Sequence, residues 1–324
     1  MGFPFYRSLV VPAAALFLAN LVDLLLTVRA ARKIDPEVHI RPALPRDRGE
    51  IVAAFRDGGA QLAVNLSVVT ALRVDLFVLV RVAPLSIVAA YGVAGRAVDM
   101  SYLIAKQATV ALMPRLGDPA QRAGAVRIGT GVFAGVIFSG MAALAINGQG
   151  LLVVWVGDVA AGSTPALVLM LLAGATVIMS TYEVASSMVM LSARTGWYCA
   201  VPIMIGSAVN LAISVGGAST YGIWAVAGST VVGNSIIFFL MWWTARPLLG
   251  WRYRQVLGAL APGLSAAVTA GAVALLLRGF GASSLLGAFI SCAITGLIGL
   301  VAASLVLKAT APAEVSDEGD AETP

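Results

Sequence analysis

The chain of 324 residues is poor in the side chains that enzymes use for chemistry. It has one histidine, His39, and two cysteines, Cys199 and Cys292, that lie far apart in apolar stretches. Such cysteines are typical of small packed side chains and give no disulfide framework. The sequence therefore predicts no metal site and no cofactor. Phosphate-binding loops, nucleophile elbows and dinucleotide fingerprints are missing as well, so we predict that the protein is not an enzyme.

The sequence is also poor in charged residues. Only 11% of the residues are charged, against about 25% in a typical soluble domain, while 59% are hydrophobic and the mean hydropathy is +0.92. This composition predicts an all-α polytopic membrane protein. The net charge of +5 does not indicate a nucleic-acid partner, because the basic residues lie mainly in loops between apolar runs.

Apolar runs of about 20 residues, the length that crosses a bilayer, predict nine transmembrane helices. Their approximate bounds are 9–28, 61–80, 85–113, 127–146, 166–191, 198–215, 222–245, 257–277 and 285–307. Residues 150–156 are too few to span, and we expect them at the outer interface. Residues 46–55 have the pattern of a short amphipathic helix on the membrane surface.

The lysines and arginines predict how these helices are oriented. If successive helices cross the membrane in alternate directions, most of the 21 lysines and arginines lie in loops on the same side of it. The positive-inside rule then places residues 29–57 and the C-terminus in the cytoplasm and the N-terminus outside, with the protein in the cytoplasmic membrane. The acidic tail, residues 309–324, is predicted to be disordered.

Charged residues inside the spans are the strongest functional indication. Residues 58–114 form a predicted helical hairpin that turns near Ala83 and Pro84 and contains five charges, which are costly in a bilayer unless they line a cavity or pair. These are Arg73, Asp75, Arg96, Asp99 and Lys106. Antiparallel helices would bring Asp75 level with Arg96 and Arg73 level with Asp99. The hairpin therefore predicts a paired polar network, whose members either contact a ligand or only orient the helices.

Four further polar residues in the spans allow two interpretations each. Asp23 either faces the bundle interior or reaches the cytoplasmic headgroups. Glu183 either couples transport to a cation or forms a hydrogen bond in helix packing. Asn210 and Asn234 are interpreted as bridges between packed helices rather than as ligands of a substrate.

The run RVDLFVLVRVAPLSIVAAYGVAGRAVDMSYLIAKQATVALMPRLGD also resembles a known family. It is similar to the central hairpin of polysaccharide-repeat flippases in the multidrug/oligosaccharidyl-lipid/polysaccharide exporter superfamily. The resemblance rests on Asp75 before an apolar run, the turn at residues 83–86, Tyr91-Gly92 and Pro114. Tyr91-Gly92 reverses the commoner order of the two residues. LLVVWVG and SARTGW, further along, also resemble the second lobe of these proteins.

The resemblance implies a division of the chain. These flippases resemble two six-helix lobes plus two helices, fourteen in all, so nine spans would match the sixth to the fourteenth. The last helix of a first lobe would cover 1–28, a cytoplasmic linker 29–57, the six-helix second lobe 58–245, two additional helices 246–308, and the tail 309–324. The first five helices would then be missing, through truncation, an incomplete sequence or division between two chains; truncation is our expectation.

The resemblance also implies a function, the translocation of a lipid-linked oligosaccharide of the polyprenyl-pyrophosphate type for cell-surface polysaccharide synthesis. Substrate-binding residues would be Arg73, Arg96 and Lys106, because guanidinium and ammonium groups bind phosphate. A charge network or ion-coupling site would comprise Asp75, Asp99, Glu183 and Asp23.

Expected partners are the lipid-linked oligosaccharide, membrane lipids, and a polysaccharide polymerase or a missing first lobe, with no nucleic acid. Two alternatives stay open: a cation-coupled multidrug antiporter of the same superfamily, and a nonfunctional or scaffolding membrane fragment. An antiporter would favour an apolar, acidic cavity, and the basic residues of the hairpin argue against it.

Overall fold

The structure is a computed structural model that describes residues 47–156, 163–192, 196–277 and 285–309, with scattered positions between 17 and 33. The chain divides into two compact units, Met1–Ala53 and Ala54–Pro324, and apart from the start of the first helix the features below belong to the second. The continuous described ranges form eight helices and no strand. They are α1 Arg48–Val82, α2 Leu85–Gly117, α3 Arg122–Val156, α4 Ser163–Ser192, α5 Trp197–Tyr221, α6 Ile223–Leu249, α7 Tyr253–Leu277 and α8 Leu285–Ala309.

The all-helical class is confirmed, as is the presence of several potential membrane spans. Among the described residues, six helical stretches are long and apolar enough to cross a membrane, and two shorter apolar stretches occur at Leu85–Arg96 and Ala293–Ala309. The six lie in α1 and in α3 to α7. The number of nine spans stays a prediction, and its first member, residues 9–28, lies largely outside the described residues.

The predicted hairpin turn is confirmed. Helix α1 ends at Val82 and α2 begins at Leu85. The N–H of Ala83 still donates to the carbonyl of Leu79 at 2.8 Å. Pro84 lacks an N–H to continue the helix and has an extended ψ of 146°. The chain therefore reverses within two residues.

Helices α3, α7 and α8 pack through small residues. A Cβ added at Gly263 of α7 would lie 2.5 Å from the Cβ of Ala134 on α3, and one at Gly299 of α8 would lie 2.5 Å from the Cβ of Ser139. Such distances allow no side chain, so the three backbones approach as closely as glycine permits. This small-residue packing leaves no room for a ligand between these helices.

The apolar core lies where α3, α4 and α6 meet. Ile137, Leu169, Met188 and Trp242 are each almost completely buried there. The indole N–H of Trp242 donates to the carbonyl of Thr181 at 3.2 Å, which satisfies the one polar atom of this large side chain. The core thus fixes α6 against α4 and determines which faces of these helices remain for the cavity.

One local prediction is wrong. The short surface helix expected at residues 46–55 is not separate, because α1 begins at Arg48 and continues without a break into the first half of the hairpin. No proline interrupts the sequence there, so the backbone hydrogen bonds of the helix continue past the change in polarity. Residues 150–156 continue helix α3 to Val156, beyond the apolar stretch that ends at Gly150, and their place at the outer interface stays a prediction.

Candidate functional site

A cavity of about 380 Å³ lies among helices α1, α2, α4, α5 and α6. The lining residues of each helix lie three, four or seven positions apart, the spacing that places side chains on one face. On α4 these include Glu183, Ser186, Ser187 and Met190, and on α5 they include Cys199, Ile203, Gly206, Ser207 and Asn210. The serines, Cys199 and Gly206 are small, so these positions of α4 and α5 leave space in front of α1.

The lining of this large cavity is mixed in polarity. Amide side chains come from Gln61 and Asn65 on α1, Asn210 on α5 and Asn234 on α6. Charged side chains come from Lys106 on α2 and Glu183 on α4, while methionines and valines complete the wall. Gln61 also donates to Asn65 at 3.2 Å. Such a wall can hydrogen-bond a polar molecule and still pack against apolar parts.

A buried carboxylate, Asp75, lies beside this cavity. It is 4% exposed and accepts hydrogen bonds from hydroxyls on three other helices. Tyr91 of α2 donates at 2.6 Å, Thr230 of α6 at 2.9 Å and Ser214 of α5 at 3.4 Å. A carboxylate in a membrane helix needs this degree of compensation, because water is not available to solvate it.

The hydroxyl of Ser214 connects Asp75 to a second group of polar atoms. It lies 2.6 Å from the hydroxyl of Ser229 and 3.4 Å from the side-chain oxygen of Asn210. Ser229 donates to the carbonyl of Val226 at 2.7 Å, and the Thr230 hydroxyl lies 3.2 Å from the same carbonyl, which competes with Asp75 for its one proton. Oxygen atoms from α2, α5 and α6 therefore converge around one carboxylate of α1. We call Asp75, Tyr91, Asn210, Ser214, Ser229 and Thr230 the Asp75 cluster.

A smaller cavity of about 80 Å³ adjoins the Asp75 cluster and is lined by Asp75, Tyr91, Arg96 and Asp99. Three lining residues, Met179, Thr230 and Asn234, are shared with the large cavity. Asn234 is held in place by Tyr182, whose hydroxyl donates to its side-chain oxygen at 2.7 Å. The two cavities are therefore neighbours, separated by side chains rather than by a helix.

Five of the seven predicted site residues line these cavities. Asp75, Arg96 and Asp99 line the smaller one, and Lys106 and Glu183 line the larger one. The side chain of Arg73 and the whole of Asp23 lie outside the described residues.

The predicted pairing of Asp75 with Arg96 is wrong. Arg96 is exposed, and the carboxylate is bonded to Tyr91, Thr230 and Ser214 instead. The reason is the position of the turn. Helices that reverse about Ala83 bring residue 75 level with residue 91, whereas level placement with Arg96 would need a turn about two to three residues later.

The hydroxyl partners of Asp75 were not predicted from the sequence, where Tyr91 served only as part of the family resemblance. Asn210 and Asn234 were interpreted as bridges between packed helices. Asn234 does bond to Tyr182 of α4, and both asparagines also line the large cavity. A spacing of four residues was present, since Asn210 and Ser214 share a face of α5. Asparagines and hydroxyls at this spacing, opposite an aspartate in another span, would have indicated the cluster.

The described cysteine, aspartate and glutamate side chains form no group of three that could hold a metal ion. Comparison with protein-family models, with curated proteins and with solved structures gave no match. The two cavities and the Asp75 cluster are therefore the features that bear on function.

Proposed function

We propose that the protein translocates a lipid-linked oligosaccharide of the polyprenyl-pyrophosphate type across the cytoplasmic membrane, for the synthesis of cell-surface polysaccharide. The observation that supports this most is the large cavity itself. It is a space of about 380 Å³ inside a bundle of apolar helices, lined by four amide side chains, the ammonium group of Lys106 and the carboxylate of Glu183. That volume is in the usual range of small-molecule sites, about 300–1,000 Å³.

The substrate has three chemically different parts, and each finds a matching surface. The four amides of the cavity match sugar hydroxyls, which both donate and accept hydrogen bonds. The ammonium group of Lys106 matches a phosphate, as would the guanidinium groups proposed to assist it, those of Arg96 and Arg73. The lipid tail needs no site in the protein and can stay in the bilayer.

Helix α1 is suited to such an arrangement because it is poorly packed. Only 13% of its most apolar stretch is buried, and Leu62 and Leu66 are each more than half exposed. One side of α1 therefore presents apolar side chains to lipid, while Gln61 and Asn65 line the cavity. A headgroup in the cavity could remain joined to a tail in the membrane along this helix.

We further propose that Asp75 couples transport to a cation, either a proton or a sodium ion. Its carboxylate is buried, lines the smaller cavity and is surrounded by the hydroxyl oxygens of Tyr91, Ser214 and Thr230, and oxygen is the ligand type that hard cations prefer. Binding of one positive charge would neutralise Asp75 and release the hydroxyls that now donate to it. Asp99 and Glu183 line the same cavities and are proposed for a supporting role, as is Asp23.

A cation-coupled multidrug antiporter is the second candidate. Glu183 together with Met113, Met179 and Met190 in the wall of the large cavity favours it, because a carboxylate and polarizable thioethers suit an organic cation. Lys106 in the same wall argues for the anionic substrate.

A binding experiment tests the proposal. The purified chain is titrated with a fluorescent prenyl-pyrophosphate disaccharide and, separately, with a cationic dye. We expect the disaccharide lipid to bind and Lys106→Gln to weaken it about tenfold, since a hydrogen bond to a charged group contributes about 1.5–3 kcal/mol.

Arg115→Gln is the matched control, because it removes one exposed charge from the same helix outside either cavity. Binding of the dye alone, or equal effects of the two substitutions, would contradict the proposed substrate. The first result would favour the antiporter.

A further inference from the structure

The turn between α6 and α7 has an unusual geometry that starts at a glycine. Gly250 has a positive φ of 66°, which non-glycine residues rarely adopt. Its N–H donates to the carbonyl of Pro247, and the N–H of Trp251 donates to the carbonyl of Arg246 at 2.9 Å. This C-cap turns the chain back on itself, so that the Trp251 ring stacks on Trp242 with centroids 6.1 Å apart.

The same turn surrounds Arg246 with aromatic rings. The guanidinium carbon lies 4.9 Å from the ring centroid of Trp243 and 4.3 Å from that of Tyr253, both within cation–π range. The Nε atom is buried and has no hydrogen-bond partner within the described part of the chain. Aromatic rings hold this cation in one position without neutralising it.

Two further arginines follow in the turn and at the start of α7. Arg252 and Arg254 are exposed, and the backbone N–H of Arg252 is bonded to the side chain of Gln255 at 2.7 Å. Residues 184–313 contain no aspartate or glutamate. Neither α5 nor any helix that follows it can therefore supply a carboxylate to these three cations.

Exposed apolar side chains lie immediately beside the arginines. Trp243 and Leu257 are each 62% exposed, and Leu248 is 40% exposed. Both helices that meet here are long and apolar enough to span a membrane. A belt of tryptophan and tyrosine next to arginine at the ends of spans is typical of the level of lipid headgroups.

We propose that this turn is a binding site for an anionic phospholipid. Arg246, Arg252 and Arg254 bind the headgroup phosphate, and Trp243 with Leu257 contacts the upper part of the acyl chains. A phospholipid fits better than a soluble phosphate ester because the exposed apolar residues would gain nothing from a ligand without a hydrophobic part. This site is separate from both cavities, and the proposal does not depend on the proposed function.

Thermal unfolding in mixed micelles tests the proposal. The purified chain is titrated with phosphatidylglycerol or phosphatidylcholine, because a ligand that binds only the folded state raises Tm as its concentration rises. We expect phosphatidylglycerol to raise Tm by several °C and phosphatidylcholine to raise it much less. Arg246→Gln should lose most of the difference between the lipids, and 0.5 M salt should reduce it.

Arg115→Gln is again the matched control, since Arg115 is likewise a basic residue in the last turn of its helix but has no aromatic ring over it. If Arg246→Gln does not fold, the double variant Arg252→Gln/Arg254→Gln replaces it, because both side chains are exposed. Equal lipid responses in the variant and the control would overturn the site. A Tm rise of the same size with inorganic phosphate alone would overturn the phospholipid as its ligand.

Discussion

Two parts of the bundle have nearly the same hydropathy and opposite packing. The apolar stretch of α1 has a mean hydropathy of 1.9 and is 13% buried, whereas that of α3 has 1.8 and is 67% buried. Around α3 the glycines of α7 and α8 let backbones touch. Around α1 the facing helices present small and polar side chains, and a cavity remains. Hydropathy alone therefore does not distinguish a structural span from one that lines a site.

The difference lies in what the neighbouring helices do with their small residues. At Gly263 and Gly299, atoms of another helix occupy the space where a side chain would lie. At Gly95, which lines the smaller cavity, no atom lies within 4 Å of where a Cβ would be. Small residues also bring helices together beside the large cavity, since a Cβ at Gly206 would lie 2.6 Å from the carbonyl oxygen of Gly233. The open space at Gly95 therefore reflects the absence of a facing helix there, and among the described side chains the hydrogen-bonded polar cluster occurs only beside the cavities.

Exchanging glycine for valine in each region should give the largest effect. Gly263→Val forces a side chain against Ala134, including its backbone carbon at 3.1 Å, and we expect a loss of about 3 kcal/mol or more in the free energy of unfolding. Gly95→Val has space and should change it by less than about 1 kcal/mol. Thermal unfolding and folded yield measure both. Equal losses would mean that the two regions do not differ in packing.

The Asp75 cluster should be more sensitive to the charge of residue 75 than to its volume. Asp75→Asn keeps the volume and removes the charge, so we expect folded yield near that of the parent chain. If sodium binds at Asp75, sodium chloride should raise the Tm of the parent chain relative to choline chloride, and Asp75→Asn should abolish this rise. Asp118→Asn, in the turn before α3, is the control. A sodium response that survives in Asp75→Asn would exclude Asp75 as a sodium site.

Arg96 should contribute much less to the free energy of unfolding than a buried ion pair with Asp75 would. It is exposed and forms no ion pair with Asp75, so Arg96→Gln should change the free energy of unfolding by less than about 0.5 kcal/mol. Exchange of Asp75 and Arg96 should not restore a folded chain, because it would place a guanidinium among hydroxyls that now donate to a carboxylate. Rescue by the exchanged pair would show that the two side chains do interact.

The helices could be predicted from the sequence because their determinants are local. Runs of apolar residues located α4 and α7 to within a few positions of Ser163–Ser192 and Tyr253–Leu277. Helix α5 is longer than predicted and continues through Gly216, Gly217 and Ser219 to Tyr221. Small polar residues there do not stop a helix whose backbone has no water to bond to.

The site could be predicted only in part, because it depends on how deep each side chain lies in the membrane and on how each helix is rotated about its own axis. Asp75, Lys106 and Glu183 were identified by the cost of burying them. Their partners were not identified. The position of the turn decides which residue of α2 lies level with Asp75, and a shift of about two or three residues is enough to replace Arg96 by Tyr91. The cavity depends on distances between helices, which periodicity within one helix does not determine.

The orientation of the cavity can be established without any effect on stability. The distribution of lysine and arginine predicts that Pro36 is cytoplasmic and Gly162 is outside. A cysteine at Gly162, in a background without Cys199 and Cys292, should react with an impermeant thiol reagent in intact cells, and one at Pro36 should not. The reverse labelling would mean that the helices, and the cavities with them, have the opposite orientation in the membrane.

The most direct test of the account uses a residue that the chain already has. Cys199 is 3% exposed and lines the large cavity, so a bound headgroup should slow its alkylation. In a Cys292→Ser chain, a small maleimide should modify Cys199 several times more slowly in the presence of the prenyl-pyrophosphate disaccharide. Prenyl phosphate should protect it less, and Lys106→Gln should abolish the protection. An unchanged alkylation rate at saturating disaccharide lipid would contradict the claim that the large cavity binds this substrate.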